Sequence, residues 1–406
     1  MHPPRRSRNE RIDALRGIAV FGILLINVWV LAKGSSQFRY GLLEPAAPWW
    51  EHMSVWFCAA FAEAKFYPIF AFLFGAGFAL QMRSLRRAQG AWQPATERYR
   101  RRLTWLLACG LLHGSLIWYG DILTAYALTG FWLLRAAGRP LAQVRRLLHL
   151  ALFVNAAILA FLILGVLGME PSTPGEVSES VLEAARTRAV YNSGSWREIA
   201  LQRLADFGAN IVNFVFFLPE LAMLFLLGVV ALRLGWLTRP WRHRRLWRKV
   251  QLAGFAIGIP INLWWGAVAL AEALDPYANA LRAAVAHTWL TLGGPVLAGA
   301  YVASVMLAGA RVARWLGRWF APVGRMALSN YLMQSVLGVI LLQGVGLGWG
   351  AQLSRTGLLL YCAAIMLVQL CLSRWWLARH AQGPLEALWR RYTYLGEQPR
   401  APASKA

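Results

Sequence analysis

The sequence predicts an all-α integral membrane bundle of about ten transmembrane helices with both termini in the cytoplasm, and three features carry that expectation. Of 406 residues, 58% are hydrophobic and only 15% charged. The apolar residues fall in long blocks rather than at amphipathic spacing, which marks a polytopic chain. The arginines behind the net charge of +24 cluster in the short connections between those blocks. In a soluble chain that charge would point to nucleic acid. Here the positive-inside rule accounts for it, no basic run has the interleaved aromatics of a nucleic-acid face, and the expected partner is a bilayer with anionic headgroups. Cys58, Cys109, Cys362 and Cys371 lie in apolar blocks without paired spacing or companion histidines, so neither a disulfide nor a zinc site is expected.

Arg5, Arg6, Arg8 and Arg11 precede a first helix at roughly 14–33, and no small-residue cleavage site follows its apolar run, so an uncleaved helix is expected. Asp13 and Arg16 stand three apart on one face. They form either an interfacial ion pair or a cytoplasmic mouth for an anionic donor. Asn27 is the first polar residue inside a span, where an amide normally bonds a neighbouring helix. A loop with interfacial Trp49 and Trp50 leads to helix two, ending near Met82. Glu63 and Lys65 sit in its outer third on different faces, each able to snorkel outward, and Gly75 and Gly77 permit close helix contact.

From Arg83 to Arg102 lies the strongest cytoplasmic signal, seven arginines against Glu97. The following stretch, Arg101 to Arg135, reads as a helical hairpin turning at Gly120-Asp121. Each arm has only about fifteen residues where a full span needs roughly twenty, so the turn lies at membrane depth and brings Asp121 and His113 there. Ionisable groups at such depth are rare and usually functional. A second basic loop carries Arg135, Arg139, Arg145 and Arg146, and helix five spans about 147–168 to Glu170-Pro171.

These spans divide the chain into a membrane half at 1–170, an extracytoplasmic amphipathic segment at 171–209, a second membrane half at 210–378 and a basic cytoplasmic tail at 379–406. Helix six, about 210–232, holds Pro219-Glu220, a kink beside an isolated acid. Helices seven and eight follow at about 250–270 and 285–309, with His287 near the outer surface in an exposed or capping role. Arg311, Arg314, Arg318 and Arg325 mark a cytoplasmic turn before helix nine at about 322–342, where Asn330 and Gln334 lie four apart on one face as interhelical glue or a cavity wall. Helix ten runs at about 356–378.

Five ordered motifs resemble the YeiB-like family of bacterial inner-membrane proteins carrying a domain of unknown function. They are DALRGIAVFGILLINV at 13–28, KFYPIFAFLFGAGFALQ at 65–81, LLHGSLIWYGDILTAYALTG at 111–130, GRMALSNYLMQS at 324–335 and GPLEALWRRYTY at 383–394. The resemblance implies a ten-helix protein of the bacterial cell inner membrane. Through Asp13, Leu15, Arg16 and Gly17 the family is distantly similar to transmembrane acyltransferases, namely the acyltransferase type 3 proteins and the lysosomal heparan glucosaminide N-acetyltransferase. The acyltransferase type 3 pattern carries a histidine late in the first helix, and the corresponding region of this chain has Asn27, which cannot act as a general base.

The expected activity is therefore acyl transfer from cytoplasmic acyl-CoA to a hydroxyl or amine. His113 is the candidate base, Asp121 its orienter, and Glu220 a further catalytic candidate. Asp13, Arg16, Asn27, Arg101, Arg102, Tyr126, Ser329, Asn330 and Gln334 are the substrate-binding candidates. Acyl-CoA enters as co-substrate, no bound cofactor or metal is expected, and a homo-oligomer is compatible with the sequence. A proton-coupled transporter using Asp121, Glu220 and His113, or a non-catalytic scaffold, is the alternative.

Overall fold

Long apolar blocks do become helices, but several of them are interrupted or extended. The structure, a computed structural model, describes residues 9–33, 39–168, 173–275, 277 and 280–394. Arg5, Arg6 and Arg8, the Glu170-Pro171 boundary and the last part of the basic tail lie outside those residues. In chain order the first helices are α1 (Glu10–Lys33), α2 (Trp49–Phe61), α3 (Phe66–Gln89), α4 (Trp92–Leu112), α5 (Leu123–Leu133), α6 (Leu141–Leu167) and α7 (Pro174–Ser193). Then come α8 (Trp196–Arg233), α9 (Arg244–Leu274), α10 (Ala280–Leu307), α11 (Ala310–Arg325), α12 (Ala327–Leu342), α13 (Trp349–Gln352), α14 (Arg355–Arg379) and α15 (Pro384–Thr393). The described residues contain no strand.

Seven helical stretches are long and apolar enough to cross a membrane, eight if the bent α11–α12 pair is one span. The chain is thus a multi-pass membrane protein. The expected ten-helix series maps onto these eight plus the short arms α4 and α5, which do not reach that length and composition. The α1 helix is buried along most of its length and packs against α3, α11, α12 and α14. By contrast α6 turns almost all of its apolar surface outward, as a lipid-facing helix does.

Close approach fixes the contact between α3 and α8. A Cβ on Gly75 would lie 1.9 Å from the Phe225 carbonyl oxygen, and one on Gly228 would lie 1.9 Å from that of Phe72. Each helix thus presses a glycine onto the other's backbone, the small-residue device of membrane helix pairs. At the end of the bundle carrying the arginine-rich connections, arginines close helix C-termini. Arg11 donates to the carbonyls of Val305, Met306 and Ala308 at the end of α10 (3.0, 2.6 and 2.9 Å). Arg233 donates to those of Ala136 and Arg139. Cationic donors there satisfy orphan carbonyls and oppose the negative end of the helix dipole.

Four expectations need correction. Helix two is not continuous: it breaks at 62–65 into α2 and α3, where Ala64 takes φ +60°, and both Glu63 and Lys65 are buried rather than snorkelling. Helix six begins at Trp196, because the polar stretch before 210 is the capped start of one long helix, with Ser195 and Glu198 forming a capping box. The arginines at 311–325 do not mark a turn, since they lie on α11, which meets α12 at 72°. The tail from 379 is helical over α15, and that helix docks on the bundle. Trp389 Nε1 donates to the Arg102 carbonyl at 2.8 Å, Trp389 stacks on Trp105, and the Arg102 guanidinium lies 3.4 Å from the Trp389 ring centre.

Candidate functional site

The helix break positions the site. Unpaired backbone is tolerated at membrane depth only where protein or a polar cavity satisfies it. Here Lys65, wholly buried, donates from Nζ to the Ala59 carbonyl at 2.9 Å in the last turn of α2. Beside the break lies a cavity of about 260 Å³ bounded by α1, α3, α8, α10, α12 and the Gly120–Ile122 stretch. Its polar lining is Asn27, Arg39, Glu63, Tyr67, His287, Thr291 and Tyr331. Glu63 is the best-anchored of these. One carboxylate oxygen pairs with Arg39 Nη1 at 3.2 Å, and the other accepts from Tyr40 Oη at 2.8 Å and Trp265 Nε1 at 2.9 Å. The positive end of α3 begins three residues later, a further reason for a carboxylate here.

Adjoining the cavity is the predicted hairpin turn. From His113 the α4 helix widens into one π turn, His113–Ile117, then runs extended before α5. Two groups from α8 satisfy this irregular backbone: Arg203 donates to the Leu116 carbonyl, and Asn210 to that of Tyr119. The turn brings His113 Nδ1 to 2.8 Å from Asp121 Oδ1, both side chains almost wholly buried. Asp121 also accepts from the backbone N–H of Leu123 (3.1 Å) and Thr124 (2.7 Å), capping α5. The two amide donors orient the carboxylate, and its contact with Nδ1 orients the imidazole. The other ring nitrogen, Nε2, is buried without a partner among the described residues. Tyr331 links this pair to the cavity, since it lines the cavity and its ring lies 5.4 Å from that of His113.

Comparison with known proteins places the chain in a family. Its C-terminal part, residues 231–396, matches the family described as "Protein of unknown function (DUF418)". Along 98% of both chains it is 33% identical to the uncharacterized protein YxaH of Bacillus subtilis (strain 168). It is 30% identical to the uncharacterized protein YeiB of Escherichia coli (strain K12), covering 97% of this chain and 98% of that one. The chain belongs to the YeiB-like family. A further member, an uncharacterized 39.9 kDa protein of the amylase 3′ region of Bacillus acidopullulyticus, is 28% identical over 95% of this chain and 94% of its own. No solved structure matches.

Within this YeiB-like chain the predicted residues fall into three groups. His113 and Asp121 meet, with Asn27 opening onto the neighbouring cavity. Glu220 and Tyr126 stand behind its wall: Tyr67 Oη donates to both Glu220 oxygens (3.0 and 3.1 Å), and Tyr126 Oη donates to the Tyr67 carbonyl at 3.0 Å. The remaining candidates lie elsewhere. Asp13 pairs with Arg16 at 3.2 Å towards the basic end, where Arg101 is exposed and Arg102 covers Trp389. Ser329 donates to Glu386 at 2.6 Å. Asn330 donates to Ser373 at 3.0 Å, and Gln334 to Gln369 at 2.8 Å. These last amides join α12 to α14 and do not line the cavity.

Six polar cavity residues carry no sequence expectation of a site: Arg39, Glu63, Tyr67, His287, Thr291 and Tyr331. Arg39 reads as part of a loop, and His287 as an outer-surface residue, yet both line the cavity with Glu63. The signal for Glu63 was present, an acid and a lysine two apart inside an apolar block, but not the break that turns both inward. Among the described residues no three His, Cys, Asp or Glu side chains gather as metal ligands.

Proposed function

We propose that this chain transfers an acyl group from an acyl-CoA thioester to a hydroxyl or amine held in the cavity, with His113 as general base. The observation that carries the reading is the His113–Asp121 pair: Asp121 holds Nδ1, and Nε2 is left with a buried lone pair and no partner among the described residues. In the step, Nε2 takes the acceptor proton as the acceptor oxygen or nitrogen attacks the thioester carbonyl carbon. The C–S bond then breaks, and the departing thiolate takes the proton back from Nε2. Tyr331 has to swing aside for an acceptor in the cavity to reach the imidazole. Arg101, with Arg16 and Arg102 near it on the basic side, would meet the phosphates of the donor, and the basic connections would face the anionic headgroups of a bacterial inner membrane. The test is acyl-CoA hydrolysis and transfer by the purified protein. His113→Gln is expected to lower kcat by ~10²–10⁴-fold. An unchanged rate removes the role.

A second reading, a solute carrier, draws on the broken helix at the cavity, because carriers place half-helix ends and charged side chains at their binding sites. It expects uptake into vesicles that is lost in Glu63→Gln and indifferent to acyl-CoA.

A further inference from the structure

At the end of the bundle opposite the basic connections, three cations crowd together without an acid of their own. Lys33 ends α1, Arg188 lies on α7, and Arg355 begins α14. A Cβ on Gly41, which takes φ +65°, would lie 3.1 Å from Arg188 Nη2 and 3.7 Å from Arg355 Nη2. The two guanidinium groups therefore converge on one point. Lys33 feels both of them, with Glu51 as its opposing charge.

Nearby carboxylates do not resolve the excess. Glu51 spends its oxygens on the backbone N–H of Arg355 (2.7 Å) and of Thr356 (3.2 Å), capping α14. Glu44 is exposed and acts on Arg355 only at longer range. Among the described residues Lys33 donates only to the carbonyls of Gly350 and Leu353 (3.1 and 3.4 Å), and Arg355 to that of Leu42. Arg188 is half-buried and makes no hydrogen bond or ion pair among the described residues. The Nε atoms of Arg188 and Arg355 are both buried and have no partner among the described residues. Two partly desolvated guanidinium groups, each with N–H donors unused, repel one another unless an anion stands between them.

We propose that Arg188, Arg355 and Lys33 form an oxyanion site for a phosphate-type group, borne either by a lipid headgroup or by a soluble phosphate. The planar donor forks suit bidentate contact with such oxygens, and the lysine adds a compact charge. The site lies outside the cavity lining and does not depend on the acyl-transfer reading.

Thermal unfolding of the purified full-length protein tests it. One arm titrates inorganic phosphate against chloride at matched ionic strength. The other compares nanodiscs of phosphatidylcholine with nanodiscs containing phosphatidylglycerol. A saturable rise in Tm with phosphate identifies a soluble source, a rise with phosphatidylglycerol alone identifies a headgroup, and either supports the site. Arg188→Gln should weaken the response at least about tenfold, the loss of one charge-assisted hydrogen bond, while Arg188→Lys keeps most of it. In chloride alone Arg188→Gln should melt at or above wild type, because a repulsion is relieved. No response of the wild type in either arm overturns the proposal, whether or not the variants fold. So does a folded Arg188→Gln that responds like wild type.

Discussion

Replacing Glu63 by glutamine perturbs the cavity at its best-anchored point. The carboxylate accepts two hydrogen bonds and pairs with Arg39, and glutamine keeps the shape but not the charge. Each charge-assisted bond weakens by about 1 kcal/mol. Breaking a fully buried pair costs about 3–5 kcal/mol, but the Arg39 side chain is 28% exposed, so roughly two-thirds of that applies. The sum is about 4–5 kcal/mol. With ~2.1 cal/mol/K of unfolding entropy per residue, a chain of 406 residues should lose about 5–6 °C in Tm. The assay is thermal unfolding in detergent of wild type, Glu63→Gln, Arg39→Gln and the double variant. The double should recover much of the loss, since it removes the uncompensated guanidinium. A single variant that melts with wild type, or a coupling energy below ~0.5 kcal/mol, would refute the assigned pairing.

Three further outcomes are expected. Gly228→Ala would drive a methyl onto the Phe72 carbonyl, so it should cost about 1–3 kcal/mol and lower Tm, whereas Gly165→Ala, with open space around it, should not. Glu386 accepts the N–H groups of Leu328 and Ser329 at the start of α12, so Glu386→Gln should loosen α15 and speed tryptic cleavage after Arg390 and Arg391. The Thr173 backbone N–H and hydroxyl hold the Glu176 carboxyl below its usual 4.5. Because that folded-state value is depressed, its support for the first turn of α7 is complete above the usual value and is lost as pH falls through the lowered one. Amide exchange in that turn should rise in acid in wild type relative to Glu176→Gln.

Hydropathy made the spans legible because a membrane helix must be apolar over a fixed length. It revealed less where helices change character within one apolar block. The break at Ala62–Lys65 is invisible to a hydropathy window, since both flanks are apolar, and the one local signal is Pro68, which has no N–H to give the Ala64 carbonyl four residues back. The α11 arginines read as a turn because charge suggested a loop, although Arg311, Arg314 and Arg318 recur at helical spacing. For the site, the short hairpin singled out His113 and Asp121, but their contact depends on a π turn that sequence does not announce. Asn330 and Gln334 show the converse: a polar stripe inside a helix looks the same whether it faces a cavity or, as here, another helix.

The enclosure of α1 bears on how the protein is made. Among the described helices α1 leaves the ribosome before the others and is also among the most enclosed, and the carbonyls that receive Arg11 are synthesised 294 residues and more after it. Until the late helices insert, α1 must wait with its packing face against lipid and its guanidinium among water and headgroups, so assembly closes from the last segments back onto the first. A chain cut short before α10 would strand that opening helix, making it a natural mark for membrane quality control.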